Sequence, residues 1–156
     1  MKIAVALVHI FFATIWLGGS FFYAVILLPR LRVLDTADQR ALTRSLRAVM
    51  TPLLAVSALA TIVSGLVMMV QLHALHPGSF SHTRWGLSLE VGALASVAAL
   101  ALAFVGESRS RRYEASGYAA YPGRSAEFAR GERLLRLTAL ALLLAALVTM
   151  AVARYS

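Results

Sequence analysis

Cysteine is absent from the 156 residues, which excludes disulfides, thiolate metal sites and cysteine nucleophiles. Acidic residues are few, seven Asp and Glu against fifteen Lys and Arg. Charge of either sign is scarce, because charged residues make up 14% of the chain and hydrophobic ones 60%. A chain of this length and apolarity belongs to the membrane class rather than to soluble single domains. There is no internal repeat and no glycine-rich nucleotide-binding loop. The net charge of +8 invites a nucleic-acid reading. The arginines argue against that partner, since they stand in two blocks between apolar stretches, as in cytoplasmic loops of membrane proteins.

Four apolar stretches are present, and about 20 residues suffice to cross a bilayer core. They run from about Ile3 to Leu28, Ala48 to Leu72, Trp85 to Gly106 and Leu134 to Ala153. The first is far longer than the roughly 7–15 residues of a signal-peptide core, and Pro29-Arg30-Leu31-Arg32 follows it as a stop-transfer segment. It is expected to be a retained helix. The expected fold is one all-α domain, an integral membrane four-helix bundle.

Basic residues set the orientation. Arg30, Arg32, Arg40, Arg44 and Arg47 lie between the first two stretches. Arg109, Arg111, Arg112, Arg124, Arg130, Arg133 and Arg136 lie between the last two or at their edge. The other side holds Lys2, Arg84 and Arg154. This asymmetry places both termini and the middle loop on the extracytoplasmic side of a bacterial-type inner membrane. Thr36-Ala37-Asp38-Gln39 matches a capping box, so the second helix is expected to begin near Ala37 and to kink at Thr51-Pro52. Ser116-Gly117 and Tyr121-Pro122-Gly123 are turn signals.

Helical periodicity gathers polar and small residues. His9, Trp16, Ser20 and Tyr23 share one face of the first helix, with Gly18 and Gly19 beside it to allow close approach. Ser57, Thr61, Ser64 and Met68 line the second helix next to Gly65, and Ser88, Gly92 and Ser96 form a ridge on the third. The fourth helix is mostly Leu and Ala and reads as packing. Small and hydroxyl residues are the usual packing material between membrane helices. His9 and Glu90 are different, because an ionisable group inside a span is costly and normally marks function. Both lie about 10 Å inside the outer ends of their helices, which predicts a contact or a shared ligand between them.

More candidate ligands fall on that side. His73, His76 and His82 lie in or beside the outer loop, Met68 and Met69 one turn deeper, and Met150 one turn inside the end of the fourth helix. Imidazole and thioether suit copper, and thioether favours Cu(I). Methionine is also a common gap-filler, and loop histidines are often merely solvated. Haem b is the other cofactor, with His9 as one axial ligand and His73, His76, Met68 or Met69 as the second.

The segment Leu7-Val8-His9 through Trp16-Leu17-Gly18-Gly19, with Pro29-Arg30-Leu31 after it, resembles the first helix of the copper resistance protein D family of bacterial inner-membrane proteins. Thr83-Arg84-Trp85-Gly86 resembles that family's Thr-x-Tyr-Gly start of a later helix. The resemblance covers about 30 residues in these two segments. It implies an inner-membrane helical domain linked to periplasmic copper handling or copper import, with His9 and Trp16 as motif positions, and the leading expectation is a non-enzymatic, copper-related membrane protein. Where that family often carries a lysine in the later helix, this chain has Gly92, with Glu90 nearby. The four-helix membrane protoporphyrinogen oxidases share the first-helix His, Trp and Gly and a Thr-Pro like Thr51-Pro52. They too use a lysine that is missing here, and their Pro-Arg-Leu follows the Trp sooner. That second resemblance implies a haem-linked oxidase. A third reading is a small accessory subunit of a larger membrane complex, or a homo-oligomer, in which the polar stripe serves packing.

Overall fold

A computed structural model describes residues 2–31, 36–75, 83–115 and 125–153. The described chain is helical. Helix α1 (Lys2–Phe21) runs through a π-helical segment (Phe22–Leu27) into a short α2 (Leu28–Leu31). Then come α3 (Thr36–Leu75), α4 (Arg84–Ala115) and α5 (Ser125–Ala153). Four segments are long and apolar enough to cross a membrane: Ile3–Arg30, Ala41–Gln71, Arg84–Tyr113 and Arg130–Val152, of 28, 31, 30 and 23 residues. The architecture is that of a multi-pass membrane protein.

Local chemistry explains the helix ends. α3 begins at Thr36, with Asp38 in its first turn favouring the positive N-terminal end. The side chains of Thr36 and Gln39, which would close the capping box, lie outside the described residues. The helix continues through Pro52 and is described as far as Leu75. Thr83 caps α4: its Oγ1 accepts from the Gly86 amide at 3.0 Å, and its carbonyl accepts from the Leu87 amide at 3.0 Å. The Thr-x-x-Gly start is thus an N-cap.

Two helix pairs carry most of the packing, α1 on α3 and α4 on α5, and the pairs meet through α3–α4 and α1–α5 contacts. A buried cluster draws on all four long helices: Trp16 from α1, Ala58 from α3, Ala99 from α4, and Ala139 and Leu143 from α5. The outward surface is the reverse of a soluble protein's. Ile3, Val70, Leu94 and Phe104 are among many large apolar side chains that are mostly exposed. Such a surface is stable against lipid tails, not water.

Most of the hydroxyl stripe is buried, and part of it binds back along its own helix. Thr61 Oγ1 donates to the Ser57 carbonyl at 2.7 Å and Ser96 Oγ to the Gly92 carbonyl at 2.9 Å. These two hydroxyls are satisfied on the preceding turn and supply small size rather than bonds between helices, whereas Ser64 also meets His9 of α1. Small size matters where helices touch. A Cβ at Gly92 would stand 3.0 Å from Thr149 Oγ1 and 3.1 Å from Met150 Cε of α5, and one at Gly19 would stand 2.6 Å from Leu54 Cδ2 of α3. Gly18, expected to share this role, meets no atom within 4 Å and does not. Gly92→Leu is expected to cost about 1–3 kcal/mol through overpacking, read as a lower unfolding midpoint in detergent. An unchanged midpoint would show that α4 and α5 do not depend on this approach.

Candidate functional site

His9 sits on α1 seven residues, about two turns, before Trp16. Its ring is half-buried and turned onto α3. Nδ1 lies 2.9 Å from the Thr61 carbonyl oxygen and 3.2 Å from Ser64 Oγ. A carbonyl can only accept, so the proton belongs on Nδ1. Ser64 Oγ is itself 2.6 Å from the Ala60 carbonyl, to which it donates, leaving its oxygen lone pairs toward the ring. In the neutral imidazole Nε2 then carries the lone pair. Metal-ligating histidines commonly donate their other ring nitrogen to a backbone carbonyl in this way, which fixes the tautomer, and a histidine that only links two helices can make the same bond.

Gly65 makes the seat for the ring. A Cβ there would come within 3.0 Å of His9 Cε1 and 3.4 Å of Nδ1, so a larger residue would displace the imidazole. Gly65, Ser64 and Thr61 therefore act together: one gives room and the other two give acceptors.

Both hydrogen-bond partners of His9 are on α3. Glu90 is half-buried on α4 and stands about 160° around that helix from Gly92, which faces α5. Met68 and Met69 are half-buried on α3, with Met68 one turn beyond Ser64 on the side that receives His9. Met150 packs on Gly92 between α4 and α5, a gap-filling position. His73 lies within α3, but its side chain falls outside what is described, as do His76 and His82 entirely. Among the described residues no group of three or more His, Cys, Asp or Glu stands close enough to share a metal ion.

The opposite, arginine-rich end holds a network that charge counting missed. Arg47 of α3 donates through Nη2 to Ser110 Oγ of α4 at 2.6 Å, and its Nε lies 3.7 Å from Glu107 Oε2. Glu107 Oε1 also receives Arg111 Nε at 2.9 Å. On α5, Arg136 pairs with Glu132 and lies 4.7 Å over the ring of Tyr23. Tyr113 of α4 stacks on Phe128 of α5 with ring centres 4.1 Å apart. Read as loop charges these arginines look like topology signals. For Arg111 and Arg136 the spacing of four from Glu107 and Glu132 was the available clue; Arg47, on another helix from Glu107, carried no such signal.

Compared with known protein families, with curated proteins and with solved structures, the chain matches none.

Proposed function

We propose that this chain is an inner-membrane protein of copper handling that holds the metal through His9 Nε2. The observation that supports this reading is the bond from His9 Nδ1 to the Thr61 carbonyl, which directs the lone pair of the neutral ring to Nε2. The half-buried thioethers of Met68 and Met69 are the candidates on α3 to accompany it, and imidazole with thioether is a donor set that suits Cu(I). The resemblance of the first helix to copper resistance protein D points the same way. Bound copper would be retained by one imidazole and thioether sulfur, a set weak enough to release the ion, as a transfer protein requires.

The same pinned imidazole suits haem iron, so one preparation separates the readings. Protein purified in mild detergent should contain copper by elemental analysis and show no Soret band. His9→Ala should lose the copper, with the unfolding midpoint reporting the lost α1–α3 link separately. A Soret band that disappears in His9→Ala would replace copper by haem b. Neither metal nor haem in the wild type would leave His9 as a structural link in an accessory subunit.

A further inference from the structure

A cavity of about 90 Å³ opens at the arginine-rich end between α1, its π-helical continuation, α3, α4 and α5. One water needs only about 10–15 Å³ on such a measure, so the space fits a small organic group. Its wall is mostly apolar, with Trp16 at one end and Ser20, Tyr23, Glu107 and Arg136 as its polar members. We propose that this cavity binds the head of a neutral membrane-soluble quinone, with its carbonyl oxygen on Arg136 and its ring beside Trp16 and Tyr23.

Three observations carry the assignment. The first is a donor. Arg136 lines the cavity, and Glu132 engages it through Nη2, one of the nitrogens of a guanidinium that carries five N–H groups. Its Nε is itself buried, so a ligand carbonyl would meet the terminal N–H groups. The second is charge. Arg136 is balanced by Glu132, and Glu107 by Arg47; Arg111 is mostly exposed and its charge is solvated. The wall offers one cationic donor and one anionic acceptor already compensated, so a neutral head with a carbonyl, or a hydroxyl in its reduced form, adds no unpaired charge. A carboxylate would bring a charge opposite Glu107 with no buried cation left to meet it.

The third is space held open by sequence. Gly106 is buried on α4 and lines the cavity, yet a Cβ there would meet no atom within 4 Å. Helix contact does not require this glycine, unlike Gly92. The π-helical segment adds to this, since a π turn takes one more residue than an α turn and such turns recur at functional sites. Here it begins beside Tyr23, which is buried beneath the Arg136 guanidinium.

The test uses the whole chain in phosphatidylcholine nanodiscs, titrated with ubiquinone-1. Tryptophan occurs at 16 and 85 alone, and quinones quench indole fluorescence on contact. Saturable quenching is expected, and Trp16→Phe should remove it. Arg136→Met should weaken binding about tenfold, the equivalent of one lost charged hydrogen bond. Gly106→Leu should weaken it at least as much while leaving the unfolding midpoint in place. Should Arg136→Met fail to fold, Gly106→Leu decides. Absent saturable quenching, unchanged affinity in Gly106→Leu, or displacement by laurate at lower concentration than by ubiquinone-1, would each overturn the proposal; the last would make the site one for anionic amphiphiles. The copper content of these variants is a separate readout, because His9 is about two turns away.

Discussion

Glu107→Ala is expected to lower folding stability by about 3 kcal/mol, the lower end of the range for breaking a buried ion pair. Arg47 and Glu107 side chains are only 12% and 16% exposed. Removing the carboxylate leaves the Arg47 guanidinium with Ser110 Oγ at 2.6 Å but takes away the Glu107 charge beside it. The penalty therefore includes the cost of a half-broken pair and exceeds the net value of the pair. The double variant Arg47→Met with Glu107→Leu removes both charges and should recover most of the loss. A denaturation cycle in detergent of the wild type, Arg47→Met, Glu107→Leu and the double variant checks this. If both single variants unfold like the wild type, the Arg47–Glu107 pair does not hold α3 to α4.

Trp16→Ala is expected to have a comparable effect, for a different reason. Trp16 is 4% exposed and belongs to the cluster that all four long helices share. In a soluble core such a truncation costs about 3–5 kcal/mol, as a transfer term plus a cavity term. Lipid tails are as apolar as the protein interior, so little of the transfer term applies between helices in a membrane. The cavity term remains, because the lining loses dispersion contacts that nothing replaces. A loss of about 2–3 kcal/mol follows, whereas Trp16→Phe should lose less. Equal midpoints for Trp16→Ala and wild type would mean that the helices close on one another when the indole is removed.

The four helices were legible because each apolar run exceeds what a bilayer crossing needs. The early start of α3 was legible from the Thr36 capping box, and the close contacts from Gly19 and Gly92. Rotation of one helix against another was not. His9 and Glu90 can be assigned a depth by counting residues, but which neighbour each meets depends on pairing, and α1 pairs with α3. The π turn was invisible for a related reason: Phe21 to Leu28 is apolar throughout, so no alternation betrays a change of helical phase. Arg47 and Arg136 were hidden by their resemblance to topology charges, and Glu107 because it lies just past the apolar core of its span.

His9 is also a mechanical element. Its Nδ1 proton is shared between a peptide carbonyl and a serine of another helix, so the imidazole works as a peg that sets how far α1 can slide along α3. Whatever draws electron density from the far side of the ring makes that proton a stronger donor and tightens the peg. A group bound at Nε2 would thereby be felt at a peptide bond on a neighbouring helix without any side chain having to swing.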